Sequence, residues 1–174
     1  TNTPIIIVLV NGRPISEPWL DENIPAIIET WEPGSLGGKA LAEVLFGEIN
    51  PSGKLPLTIP RSVGQLQMVY NHKPSQYFHK YAFEKIKPLY PFGYGLSYST
   101  FKISEPELSE INWDGKGTLD VAVNVENIGE VEGKETIQLY VRDMYSSVTR
   151  PVLELKGYKN CLLYTSPSPR DKRL

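Results

Sequence analysis

The chain has 174 residues, 40% of them hydrophobic and 22% charged, enough for one ordinary domain or two small ones and too apolar for a disordered chain. A formal net charge of -2 excludes the general basic field that draws nucleic acid or an anionic membrane surface. A single cysteine, Cys161, excludes an intrachain disulfide, and no apolar run approaches the length of a membrane span.

Pro4–Val10 (PIIIVLV) is a continuous β-branched run without alternation, which predicts a central strand, of the kind found in parallel sheets, with both faces buried. It is too short, and lacks the basic flank, to be a signal peptide, and a chain that opens inside a strand reads as a fragment. The run stops at Asn11-Gly12-Arg13-Pro14, a turn cluster. Loops at the carboxyl ends of strands line ligand crevices in α/β sheets, so Asn11 and Arg13 are candidate rim residues. A structural turn with a solvated arginine is the alternative reading.

Ser16–Asn23 is short and acidic. Ile24–Trp31 reads as a strand or a helix turn, and its shortness and the turn cluster that follows favour a second strand. Residues 33–38 (PGSLGG) form a tight loop. Lys39–Phe46 follows as a helix with Ala40, Leu41, Val44 and Leu45 on one face, ended by Gly47. The GSLGGKA run fails as a phosphate loop, because Pro33 stands where the first glycine is needed and Ala40 where Ser or Thr follows the lysine. Its glycines read instead as sites of close helix–sheet packing and positive φ.

Asn50–Pro60, with three prolines and a glycine, runs extended. Its Asn50-Pro51-Ser52 triplet is excluded as a glycosylation acceptor by the proline. Arg61–Lys87 is loop-rich and aromatic, with Tyr70, His72, Tyr77, Phe78, His79 and Tyr81. The two histidines match no zinc spacing. The aromatics serve either packing or a surface for sugar rings.

From Thr100 the period changes to two. Leu119, Val121, Val123 and Val125 alternate with polar neighbours, Asn127-Ile128-Gly129 is a turn, and Ile137, Leu139 and Val141 alternate again. That pattern predicts half-buried antiparallel strands of a separate β-sandwich domain. Cys161–Leu174 (CLLYTSPSPRDKRL) is Ser/Pro-rich, then charged, and reads as a disordered tail.

VLVNGRP (8–14), WEPGSLGGKALAEVLFGEINPSGKLPLTIPRSVGQL (31–66), YNHKPS (70–75) and PLYPFGYGLSYSTF (88–101) together resemble glycoside hydrolase family 3, the β-glucosidase and β-xylosidase family. ETIQLYVRD (135–143) and RPVLELKGY (150–158) resemble the fibronectin III-like domain that closes many of these enzymes. The resemblance implies an α/β fold followed by an all-β, immunoglobulin-like sandwich. In its terms, residues 1–66 are the C-terminal part of an α/β sandwich domain and 67–99 an aromatic-rich linker. Residues 100–160 are then a truncated fibronectin III-like sandwich, and 161–174 a non-native or disordered tail.

The resemblance further implies a parent enzyme that removes terminal β-linked glucosyl or related residues with retention. Retaining glycosidases need two carboxylates about 5 Å apart. In this family the aspartate nucleophile lies in a TIM-like barrel and the acid/base glutamate upstream of the opening strand, so neither maps onto this chain. Adjacent Asp21 and Glu22 point to opposite faces of a strand, and Glu29 and Glu32 flank Trp31 without forming a substitute pair. Glu32 stands where the family often has an aromatic or other non-acidic residue, which the resemblance makes a variable loop position. The expected catalytic set in the chain is therefore empty. Asn11, Arg13, Trp31, Tyr70 and His72 are expected at the rim of the cleft, with domain packing as the alternative role. No cofactor and no metal are expected. The expected partners are a β-glycoside substrate and an N-terminal barrel domain, and the resemblance favours a secreted or periplasmic location. The competing reading is a non-catalytic fibronectin-like module for carbohydrate contact or domain packing.

Overall fold

The structure is a computed structural model that describes residues 3–74 and 83–164 and the backbone of Lys172–Arg173. It is rich in strands and has two helices among the described residues. The chain divides into two compact units that interleave in sequence. The first comprises Thr1–Ile49, Lys54–Tyr94 and Val141–Glu154, and the second Asn50–Gly53, Gly95–Tyr140 and Leu155–Leu174.

In the first unit, β1 (Ile6–Leu9) pairs in parallel with β2 (Ala26–Glu29), in the register Ile6↔Ala26 through Leu9↔Glu29. The β-branched run therefore makes the expected strand, but not the expected burial. Ile6 is 50% exposed and Ile7, Val8 and Leu9 are half-buried, because among the described residues β1 and β2 form a two-stranded sheet. Between them lies α1 (Pro18–Asn23), a six-residue helix. Pro18 occupies its first turn, where a missing N–H costs nothing, and the Glu17 side chain accepts from the Trp19 N–H at 3.3 Å.

The second helix, α2 (Gly37–Leu45), begins two residues earlier than the spacing of its apolar residues suggests. Leu41 and Val44 are half-buried, whereas Ala40 is exposed and Phe46 at the C-cap is 85% exposed. The helix stops as expected at Gly47, which adopts φ 77 and donates its N–H to the Val44 carbonyl at 3.0 Å.

The extended run after Asn50 finds its partner across a long sequence gap. Leu55 N–H donates to Tyr94 O at 2.8 Å, Gly93 N–H to Leu55 O at 2.8 Å, and Ile59 N–H to Tyr90 O at 2.8 Å. The prolines at 56 and 60 lack N–H groups, and the pairing uses Leu55 and Ile59. Ile59, 5% exposed, is the buried hydrophobic residue at this crossing.

In the second unit, β3 (Phe101–Ile103) pairs antiparallel with β6 (Val125–Asn127), and β4 (Glu107–Leu108) with β5 (Val121–Val123). A long strand β7 (Gly133–Val141) pairs with β8 (Glu154–Leu163), and β9 (Lys172–Arg173) adds to β5. The alternating run from Leu119 to Val125 is not one strand. It breaks at Asn124, whose backbone N–H is taken by Ser104 Oγ at 2.9 Å while its carbonyl accepts from Ser104 N–H at 2.9 Å. The core is Val125, Ile137, Cys161 and Leu163, with Phe101 and Val123 packed against it.

Cys161 and Leu163 thus lie in β8, and Cys161 is 2% exposed. Ordered structure reaches beyond residue 160, where the tail was expected to begin, because the two-residue spacing of Cys161 and Leu163 puts both on the core face. Tyr77, Phe78, His79 and Tyr81, and the expected tail after Tyr164 apart from the β9 backbone, lie outside the described residues.

Candidate functional site: the carboxyl end of the parallel strand pair

The parallel ladder continues past both strand ends. Thr30 N–H donates to Leu9 O at 3.0 Å and its hydroxyl reaches the same carbonyl at 2.7 Å, while Asn11 N–H donates to Trp31 O at 3.2 Å. The two loops that follow β1 and β2 are therefore stitched side by side. This brings Asn11, Arg13 and Trp31 of the expected set together.

Each contributes differently. Asn11 Nδ2 donates to Arg13 O at 2.6 Å and to Glu29 Oε2 at 3.4 Å. Its Oδ1 is buried without a partner among the described residues, so the amide is committed to its donor side. Arg13 enters through its backbone carbonyl, and its residue is exposed. Trp31 adopts φ 52, a left-handed conformation that bulky residues rarely enter. Its N–H donates to Glu29 Oε1 at 3.1 Å. Both oxygens of Glu29 are thus taken up holding the loops. Gly12 lies so close to Glu32 that a β-carbon there would stand 2.9 Å from Glu32 Oε1.

Tyr70 and His72 belong to a different cluster of the same unit. The Tyr70 ring stacks on Phe92 with centroids 4.2 Å apart, and Tyr90 stacks on Tyr94 at 5.2 Å. The His72 carbonyl accepts from Val152 N–H at 2.9 Å, and its ring Nδ1 lies 2.9 Å from Lys73 O.

Close to the Tyr90 crossing, α1 is tied down by its acids. Tyr90 donates its hydroxyl to Asp21 Oδ1 at 2.7 Å, and burial, then this carboxylate, pushes the phenol well above its usual range. Arg61 reaches Glu84 Oε1 at 3.1 Å and Glu22 Oε1 at 3.6 Å. Gln65, 3% exposed, accepts from Arg61 N–H and donates to Lys85 O, each at 2.7 Å. Asp21 and Glu22 are therefore structural anchors of a helix rather than residues of a strand.

The Lys85 N–H donates to Glu84 at 2.7 Å, and this bond, followed by Arg61, holds the Glu84 carboxyl below its usual range. A depressed carboxylate contributes stability that is present above its unfolded pKa and lost as pH falls through the folded one. Glu84→Gln is therefore expected to lower the urea midpoint at neutral pH. The midpoints of variant and parent are expected to converge as pH falls below the ordinary carboxylate range and through the lowered pKa of Glu84. A constant gap across that range would remove Glu84 from the acid response.

Sequence reasoning weighed Glu29 only as a catalytic carboxylate and missed its structural role, and it missed Phe92, Tyr90 and Arg61. Phe92 and Tyr90 sit in the PLYPFGYG stretch, which could have flagged them. Nothing in residue type marked Glu29 as a holder of the two loops. Among the described residues no group of three or more His, Cys, Asp or Glu could hold a metal, and no helix is long and apolar enough to cross a membrane.

The Glycosyl hydrolase family 3 C-terminal domain matches residues 1–98, more than half of the chain. The chain belongs to glycoside hydrolase family 3. A fibronectin type III-like domain matches residues 135–165 of this family 3 chain. A periplasmic β-glucosidase of Salmonella typhimurium is 45% identical over 94% of the chain, and a β-xylosidase of Formosa agariphila 46% identical over 94%. A β-glucosidase structure from Erythrobacter marinus superposes with a TM-score of 0.91 at 43% identity over 97% of the chain. A β-glucosidase of Listeria innocua in complex with isofagomine does so with a TM-score of 0.87 at 35% identity over 99%. The chain spans about a quarter of the length of these proteins, 22% to 25%.

Proposed function

We propose that the chain is the C-terminal part of an exo-acting β-glycosidase that hydrolyses terminal β-linked glucosyl or related residues with retention. The supporting observation is that β-glucosidases and a β-xylosidase match it along 94% to 97% of its length at 43% to 46% identity. The finer architecture we propose is the end of an α/β sandwich domain followed by a fibronectin III-like sandwich. Both reacting carboxylates lie outside these 174 residues. The engagement of Asp21 by Tyr90, Glu22 by Arg61, and Glu29 by Trp31 and Asn11 supports that reading. Carboxylates used as structural acceptors do not form the close, differently protonated pair that retention needs.

In the parent, Asn11, Arg13 and Trp31 contribute one part of the cleft wall and Tyr70 and His72 another. The substrate is a β-linked oligosaccharide or glycoside, and the partner that completes the site is a barrel domain. Assaying the purified chain on an aryl β-glucoside tests this. No turnover above background is expected from the chain alone. Turnover that disappears with Glu29→Gln or Glu32→Gln would overturn the assignment of both carboxylates to the rest of the enzyme.

A further inference from the structure

We propose that Glu29 is the positioning residue for Trp31, holding the indole at the carboxyl end of the β1–β2 pair as a contact for the sugar of the glycoside. The inference rests on the cleft-rim reading of Trp31 given above.

A tryptophan has no intrinsic reason to sit at φ 52. It is held there from both sides. Glu29 Oε1 takes its N–H at 3.1 Å, and Asn11 N–H takes its carbonyl at 3.2 Å. The second oxygen of the same carboxylate takes Asn11 Nδ2 at 3.4 Å, and that Nδ2 reaches on to Arg13 O at 2.6 Å. One carboxylate therefore fixes the loop after β2 directly and the loop after β1 through Asn11.

Position adds to this. The strained residue stands where the parallel strands release the chain, the end at which open α/β sheets bind ligands. Backbone strain persists when its surroundings over-determine it, and it concentrates at ligand clamps and active sites. An indole offers a broad apolar face with one N–H at its edge, which suits a pyranose ring that is apolar on its face and hydroxylated at its rim. Placing such a group in advance spares the ordering cost at binding. A purely structural clamp would lower stability when broken and leave substrate affinity alone.

The test has two arms. In the first, residues 1–174 replace the matching 23% of the Salmonella typhimurium β-glucosidase. Trp31→Ala is expected to raise KM for an aryl β-glucoside about tenfold with kcat nearly unchanged. Glu29→Ala should reproduce most of that rise. Glu29→Gln, whose amide oxygen still accepts from the Trp31 N–H, should recover much of it. A Glu29→Ala enzyme with parental KM beside a Trp31→Ala enzyme with raised KM would overturn the positioning role alone. Parental KM in both would overturn the rim reading itself.

The second arm uses the 174-residue chain with Trp19→Phe and Trp113→Phe, so that Trp31 is its remaining tryptophan. Glu29→Ala is expected to shift the emission to the red and lower the anisotropy. Unchanged emission and anisotropy would overturn the proposal without reference to turnover.

Discussion

Gly38→Ala raises the urea midpoint of the first unit, and Gly37→Ala lowers it by an amount worth about 2 kcal/mol. The two glycines are adjacent at the start of α2, and helix preference alone would favour alanine at both by roughly 0.5–1 kcal/mol. Space decides the sign. A β-carbon on Gly38 meets nothing within 4 Å, so the propensity gain stands. One on Gly37 would lie 2.4 Å from Pro33 Cβ and 2.6 Å from its Cγ. The pyrrolidine ring cannot rotate away, so the clash must be relieved by the backbone of the Pro33–Gly34 turn. Such overpacking costs typically about 1–3 kcal/mol, more than the helix preference returns. Trp113→Phe as background leaves Trp19 and Trp31, both in the first unit, to report the transition. Equal shifts for the two variants would show that Pro33 yields freely.

Asn127→Ala is expected to destabilise the second unit by about 3 kcal/mol, because one side chain closes four hydrogen bonds. Its Oδ1 accepts from Ser99 Oγ at 2.5 Å and from Gly129 N–H at 3.0 Å. Its Nδ2 donates to Val131 O at 2.8 Å and to Leu163 O at 3.3 Å. Each bond contributes about 0.5–1.5 kcal/mol net, but the larger loss comes from stranding Ser99, which is 8% exposed and has little access to water. The backbone packs closely beside this bond, since a β-carbon on Gly129 would stand 2.8 Å from Thr100 N. Asn127→Asp keeps the acceptor but sets a carboxylate against two carbonyl oxygens, so it should fall between alanine and the parent. Thermal unfolding followed by circular dichroism measures the series. A shift for alanine no larger than that of an exposed site such as Glu130→Ala would refute the role assigned to Asn127.

The elements with a strong apolar run or a clear period of their own were legible in the sequence. Ile6–Leu9, Ala26–Glu29, the helix ending at Gly47 and the alternating Ile137 strand all carry their structure in residue type and spacing. Helix α1 was not legible, because six residues, Pro18–Asn23, are too few to display a helical period. The break at Asn124 was hidden because alternation reads the same through a kink. Burial of β1 was overestimated for a physical reason: composition says what a strand can bury, and its neighbours decide what it does bury.

The site shows the same division. Asn11, Arg13 and Trp31 could be singled out because they follow strands. That they meet depends on the parallel register of Leu9 with Glu29, which no local pattern encodes. Glu29 acquires its role only through the left-handed turn at Trp31, and residue preference argues against that turn. The pairing of Leu55 and Ile59 with Tyr90–Tyr94 likewise spans more than thirty residues and leaves no trace in either segment read alone.

The buried thiol of Cys161 gives the chain a built-in gauge of its own breathing. It is the sole cysteine, and it lies within the apolar cluster formed with Val125, Ile137 and Leu163. A thiol-reactive dye meets it only when β8 lifts from that cluster, so labelling under native conditions times the opening of the second unit. The first unit carries no cysteine and stays silent in such a measurement. On the Trp113→Phe background the two halves can therefore be followed separately in one tube, by the dye for one and by Trp19 and Trp31 for the other.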